Sequence, residues 1–104
     1  MEGLELISFQ IISSVGTARS FYIESIQAAK AGDFEKAESL IKEGEGYFVQ
    51  GHHAHAELIQ KEASGETTVM NLLLTHAEDQ LMSAEAFKII AEELLAVYRR
   101  FEEK

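Results

Sequence analysis

Hydrophobic residues recur along the chain at helical spacing, and two glycine-containing breaks divide them into three segments. The first break, Ala31-Gly32-Asp33, has a glycine suited to a helix end and an aspartate suited to a helix start. The second is Ser64-Gly65-Glu66-Thr67-Thr68, which precedes a new apolar run. The pattern therefore predicts helices over roughly 3–30, 34–63 and 68–102.

These three helices imply an all-α fold. The sequence has no proline, so nothing interrupts the long segments. The two short connections require neighbouring helices to run antiparallel, in an up-down-up arrangement. A length of 104 residues suits one compact domain, which we expect to span residues 1–104.

The first and third helices carry more apolar surface than two neighbours can cover. One stripe of the first helix follows helical spacing: Leu4, Ile7, Ile11, Val15, Ala18 and Tyr22. Further apolar residues lie on its other faces, and the third helix shows the same excess. Large exposed apolar surfaces usually mark interfaces, so the pattern predicts self-association.

The second helix has a single predicted apolar face, formed by Phe34, Ala37, Ile41, Phe48, Ile59 and Ala63. Charged residues occupy the opposite face, as is typical of a solvated surface. Three glycines, Gly44, Gly46 and Gly51, fall inside this helix. They indicate either close packing of helices or a local irregularity.

Charge and composition exclude several classes of protein. Asp and Glu number 18 against 9 Lys and Arg, and the net charge of -9 disfavours binding to nucleic acid or anionic lipid. The absence of cysteine excludes disulfides, a thiolate nucleophile and cysteine-based zinc sites. No apolar run approaches the roughly 20 residues that span a bilayer, so we expect a cytoplasmic protein without membrane insertion.

Three of the four histidines, His52, His53 and His55, crowd a short stretch of the second helix. His52 and His55 are three residues apart and share a face, as metal ligands on a helix can. A metal site of this kind usually needs a third ligand from another segment, and the spacing of residues in the sequence identifies none. Polar or interface histidines are therefore the alternative interpretation.

The fourth histidine, His76, shares a helical face with Asp79, three residues later. The face continues with Leu72, Ser83, Ala86, Ile90 and Val97. A carboxylate among apolar neighbours is unfavourable unless it is paired, protonated or bound to a cation. In a symmetric oligomer, copies of Asp79 would meet at the axis around a shared metal ion. In another register, Asp79 is an ordinary surface acid.

His76 is also a candidate nucleophile. A neutral imidazole reacts well near pH 7, and its phosphorylated form passes the phosphoryl group on readily. Phosphoryl transfer depends mainly on positioning and charge stabilisation, which a histidine on a rigid helix can provide. The sequence has no glycine-rich nucleotide loop, so the phosphoryl group has to come from a partner protein or a small donor.

Four blocks of the sequence, in order, resemble the enzyme IIA component of the lactose/cellobiose class of the bacterial sugar phosphotransferase system. The first is Phe9-Gln10-Ile11-Ile12-Ser13 with Val15-Gly16-Thr17-Ala18-Arg19. The second is Ala31-Gly32-Asp33-Phe34-Glu35-Lys36-Ala37, and the third is Ala56-Glu57-Leu58-Ile59-Gln60 with Glu62-Ala63-Ser64-Gly65. The fourth runs from Leu72 to Met82 and contains His76 and Asp79.

The resemblance implies a homotrimeric helical bundle in which each chain contributes three antiparallel helices. It implies that His76 accepts a phosphoryl group from the phosphocarrier HPr and passes it to a cysteine of enzyme IIB, for sugar uptake through enzyme IIC. It further implies that Asp79 of three subunits binds one divalent metal ion on the axis, expected to be Mg²⁺. Separately from the resemblance, we expect polar groups near His76, such as Gln80 or Ser83, to hydrogen-bond the phosphoryl oxygens.

The sequence departs from the family at two positions beside His76. The usual pattern is His-Ala-Gln-Asp-His-Leu-Met, whereas this chain has Glu78 and Gln80 in place of the glutamine and the second histidine. A carboxylate close to a phosphohistidine would repel its charge. The alternative hypothesis is therefore a non-catalytic, trimeric interaction module that retains only the fold.

Two further hypotheses concern the histidines of the second helix. They fall where the family often has a histidine, so one of them would line the phosphoryl-transfer groove. Metal binding by His52, His55 and neighbouring acids is a separate hypothesis, and it predicts stability that depends on zinc.

Overall fold

The computed structural model describes residues 3–103, which form three α-helices. They are α1 (Gly3–Lys30), α2 (Phe34–Ala63) and α3 (Leu72–Glu102). The all-α fold with three long helices is confirmed, and the first two predicted ranges agree with the structure. Residues 1, 2 and 104 of the expected domain lie outside the described part.

Local capping explains where the helices begin and end. Gly32 has φ +84°, a left-handed conformation that glycine adopts without strain, and the Asp33 carboxylate accepts a hydrogen bond from the Lys36 N–H. The predicted start of the third helix at residue 68 is wrong. The extended residue Asn71 caps α3, its side-chain oxygen accepting from the Leu74 N–H at 2.8 Å, so the helix begins at Leu72.

Helix α1 lies at the centre of the packing because it contacts both α2 and α3 along their lengths. The predicted stripe of α1 faces the core: Ile11, Val15, Ala18 and Tyr22 are almost completely buried, and Leu4 and Ile7 are half-buried against the core. Ile11 and Val15 belong to one core cluster, and Ala18 and Tyr22 to a second. The described chain measures 56 × 24 × 20 Å.

The predicted apolar face of α2 is correct only in its first half. Ala37 and Ile41 are buried, but Ile59 is 54% exposed, and the later core positions are instead Gly51, Ala54 and Leu58. Gly51 lets α2 lie close to α1, and Ala54 and Leu58 pack in the same core cluster, while Ile59 faces outward.

The three helices leave apolar side chains uncovered, as the sequence predicts. The exposed large apolar residues of α1 and α3 are Leu6, Phe9, Ile23, Leu72, Met82, Ile89, Ile90, Val97 and Phe101. Surfaces of this kind usually contact another protein. Within residues 3–103, no helix combines the length and the apolar character needed to cross a membrane.

Candidate functional site

His76 lies in the second turn of α3, and its side chain is exposed. Its neighbours Leu74 and Ala77 are buried in the core, so the backbone that carries His76 is anchored. The Asn71 cap fixes the start of the same helix. An accessible imidazole on a fixed backbone is what a nucleophile needs to react with a group carried by another protein.

Asp79 lies almost one turn further along α3 and is also exposed within the single chain. The predicted neighbours on this face are exposed too: Leu72 is 85% exposed, and Ile90 and Val97 are each 45% exposed. The single chain therefore does not bury the Asp79 carboxylate. Burial among apolar groups would require another protein surface against this face of α3.

Glu78 does not share the face of His76, because side chains two residues apart on an α-helix point about 200° apart. Its carboxylate instead reaches α2, where Glu78 Oε1 lies 3.0 Å from His55 Nε2. In the tautomer that carries its proton on Nε2, His55 donates this hydrogen bond. Gln80, the second departure from the family pattern, is half-buried.

The other histidines of α2 have separate environments. The His52 ring stacks on the Phe48 ring with centroids 6.2 Å apart, and the exposed His53 lies 3.8 Å from Glu57 of its own helix. No three His, Asp or Glu side chains of residues 3–103 are grouped so that they would hold a metal ion within one chain. The structure thus gives no support to metal binding by His52 and His55.

Polar contacts also join α2 and α3 far from His76. Lys88 Nζ lies 3.3 Å from Glu45 Oε1, and Arg99 forms an ion pair with Glu38. Together with His55 and Glu78, these pairs connect the two helices at three levels along the bundle. Partly exposed ion pairs contribute little to the free energy of unfolding. The apolar core that the three helices share is therefore the main source of stability.

The cross-helix pair of His55 and Glu78 was not predicted from the sequence. The two residues are separated by 23 positions, and local periodicity contains no signal for such a contact. The antiparallel arrangement of α2 and α3 brings them together, and that register depends on how both helices pack on α1.

Comparison with known proteins gives a consistent result over nearly the whole chain. Residues 6–99 match the family described as "PTS system, Lactose/Cellobiose specific IIA subunit". The lichenan-specific phosphotransferase enzyme IIA component of Bacillus subtilis (strain 168) is 43% identical over 103 residues, which are 99% of this chain and 94% of that protein.

Solved structures show the same three-helix arrangement. The crystal structure of the cellobiose-specific enzyme IIA from Bacillus anthracis has a TM-score of 0.96 and 40% identity, covering 100% of this chain and 95% of that one. A solution structure of the IIA(Chitobiose)-HPr complex contains a similar chain. Its TM-score is 0.85 at 26% identity, and the match covers 98% of this chain and 99% of that one.

Proposed function

The chain belongs to the lactose/cellobiose-specific IIA family of the sugar phosphotransferase system and is a phosphoryl carrier in sugar uptake, and we propose that His76 carries the phosphoryl group. The donor is HPr, in line with the complex that a related IIA protein forms with HPr. The acceptor is a cysteine of enzyme IIB, which supplies the phosphoryl group for sugar uptake through enzyme IIC. The exposure of the His76 imidazole on the anchored start of α3 is the observation that carries this proposal.

Transfer proceeds in two displacements. In the first, the unprotonated nitrogen of neutral His76 attacks the phosphorus atom carried by HPr in line, so a nitrogen–phosphorus bond forms as the bond to HPr breaks. In the second, the cysteine thiolate of enzyme IIB attacks the same phosphorus. A sulfur–phosphorus bond forms, the bond to His76 breaks and neutral imidazole is restored. Gln80 and Ser83, both half-buried near His76 on α3, would hydrogen-bond the phosphoryl oxygens.

A homotrimer is the proposed working assembly. The exposed apolar face of α3 supports it, because a second and a third copy would cover residues such as Leu72, Ile90 and Val97. Asp79 lies on that face, so three copies would place three carboxylates together. A divalent ion such as Mg²⁺ accepts oxygen ligands of this kind and would neutralise the charge.

Asp79 provides one oxygen ligand of the kind that Mg²⁺ prefers, but residues 3–103 of a single chain contain no complete set of metal ligands. The ion would therefore belong to the assembly and not to the protomer. We assign it no part in the transfer steps.

The non-catalytic alternative rested on Glu78, and the geometry favours the carrier instead. Glu78 points toward α2 and is hydrogen-bonded to His55, while His76 lies on the other side of α3. A carboxylate in this position repels a phosphoryl group on His76 less than one on the same face would.

Mass spectrometry of the intact protein tests the proposal. The wild type and His76→Ala are incubated with phosphoenolpyruvate, enzyme I and HPr, with His53→Ala as a control for an exposed histidine outside the site. We expect one acid-labile phosphoryl group on the wild type and on His53→Ala, and none on His76→Ala. A wild type that forms trimers but stays unmodified would instead support the interaction module.

A further inference from the structure

We propose that His55 is a positioning residue for phosphoryl transfer: it holds the Glu78 carboxylate against α2, away from the face of α3 that carries His76. This inference rests on the function proposed above. It assigns a role to a histidine that would otherwise be one of three unexplained histidines on α2, and it explains how this chain functions with a glutamate two residues after His76.

The contact between the two side chains is specific. His55 Nε2 lies 3.0 Å from Glu78 Oε1, the distance of a well-formed hydrogen bond. The His55 side chain is 21% exposed and that of Glu78 is 39% exposed, so the pair is partly shielded from water. By contrast, the His53 side chain is 79% exposed, and its Nε2 lies 3.8 Å from Glu57 Oε1, too far for a hydrogen bond.

The contact with His55 determines where the Glu78 carboxylate lies relative to His76. Without a partner on α2, the flexible Glu78 side chain would sample rotamers that bring its carboxylate nearer to the outer face of α3. A phosphoryl group on His76 would then meet a closer negative charge during both displacements. Held by His55, the carboxylate keeps to the side of α3 that faces α2, and its charge is partly offset by the donated hydrogen bond.

A purely structural role is the competing explanation, because Lys88 with Glu45 and Arg99 with Glu38 also connect α2 and α3. The two explanations differ in one respect. If the pair serves only as a connection between helices, then removing Glu78 cannot repair the loss of His55. If His55 acts by restraining the charge of Glu78, then removing that charge makes His55 unnecessary.

A double-mutant cycle separates these possibilities. The variants are His55→Ala, Glu78→Gln and the combination of both, with His53→Ala as the matched control on the same helix. For each, kcat and KM are measured for phosphorylation by phosphorylated HPr, and thermal unfolding is recorded in parallel. Glutamine is a conservative replacement here, because it removes the charge and retains nearly the same size and a hydrogen-bonding oxygen.

We expect His55→Ala to lower kcat about fivefold, the effect of one partly screened charge on another across part of a helix. KM should remain close to that of the wild type, because His55 faces α3 and is mostly buried. Glu78→Gln should react at least as fast as the wild type. The combined variant should recover the rate of Glu78→Gln, and His53→Ala should match the wild type.

Two results would overturn the inference alone: unchanged kcat in His55→Ala, or a combined variant that remains as slow as His55→Ala. Absence of phosphorylation in the wild type as well as in every variant would overturn the proposed function, and the positioning role with it. The three results are distinguishable within the same set of measurements.

Discussion

Among the single residues, Tyr22 has the least ordinary environment. Its side chain is completely buried, and its hydroxyl has no hydrogen-bond partner among residues 3–103. Burial, followed by the nearby carboxylates of Glu45 and Glu92, raises the pKa of Tyr22 from 10.0 to about 12. The folded chain therefore retains the neutral phenol with an unsatisfied hydroxyl.

Replacing Tyr22 with phenylalanine should stabilise the protein near neutral pH. The substitution removes a buried hydroxyl without a partner and retains the ring, so we expect a gain of about 1 kcal/mol in the free energy of unfolding. Urea unfolding at one protein concentration measures this value. Tyr47→Phe is the control, because Tyr47 is 40% exposed and its replacement should change the stability little.

The same variant should differ from the wild type in alkaline solution. Because the pKa of Tyr22 is higher in the folded chain, its protonation contributes stability that is fully present below pH 10 and is lost as the pH rises toward 12. The wild type should lose stability relative to Tyr22→Phe over that interval. Parallel pH profiles of the two proteins above pH 10 would contradict the assignment.

At the scale of the helices, the glycines of α2 determine how closely it approaches α1. Helix α2 is continuous through Gly44, Gly46 and Gly51, so the expectation of close packing is correct for two of them and no irregularity occurs. A Cβ at Gly44 would lie 2.6 Å from Cε1 of Tyr22, and one at Gly51 would lie 2.5 Å from Cγ1 of Val15. A Cβ at Gly46 would meet nothing within 4 Å.

Alanine substitutions at Gly44 and Gly46 should therefore have opposite effects. Gly44→Ala forces a methyl group against the buried Tyr22 ring, and we expect a net loss of about 1–2 kcal/mol after the gain in helix propensity is included. Gly46→Ala gains helix propensity without a clash and should stabilise by up to about 1 kcal/mol. If the urea midpoint shifts in the same direction for both variants, close packing against α1 does not explain why a glycine is needed at position 44.

Features that depend on residues close together in the sequence were predictable, whereas features that depend on how one helix packs against another were not. Gly32 and Asp33 mark a helix junction by their own conformational preferences, and the structure confirms it. The start of α3 was misplaced because the cap is Asn71, several residues after the glycine that ends α2. Among the late core positions of α2, Gly51 was missed because glycine carries no hydrophobic signal, and Leu58 was missed because its neighbour Ile59 fits the helical spacing from Ile41 equally well.

The candidate site shows the same division. His76 and Asp79 are three residues apart, so their shared face follows from helix geometry, and both lie exposed on α3. The direction of Glu78 was open in the sequence, because its partner His55 lies 23 residues away on another helix. Only the packed arrangement of α2 and α3 identifies the contact.

At the scale of the whole molecule, the exposed apolar face of α3 is the main candidate for the contact between copies. Ile90 is 45% exposed, so Ile90→Asp leaves the core of the protomer intact but places a charge on this face. If the wild type forms the proposed trimer, we expect this variant to be helical but monomeric, as measured by circular dichroism and sedimentation equilibrium. Ile59→Asp is the control, because Ile59 lies on α2 and is 54% exposed, and this change should leave the assembly unchanged.

The proposed metal ion predicts a link between assembly and divalent cations. If Asp79 of three subunits binds one Mg²⁺, the ion stabilises the trimer by about 2.7 kcal/mol when its concentration exceeds the dissociation constant a hundredfold. A chelator should then lower the melting temperature of the wild type, and added Mg²⁺ should restore it. Asp79→Asn removes the three converging charges, so that variant should form trimers whose melting temperature does not respond to chelation or to Mg²⁺. A wild-type trimer whose melting temperature is equally indifferent to both treatments would show that Asp79 is held without a metal ion, or that it lies away from the axis.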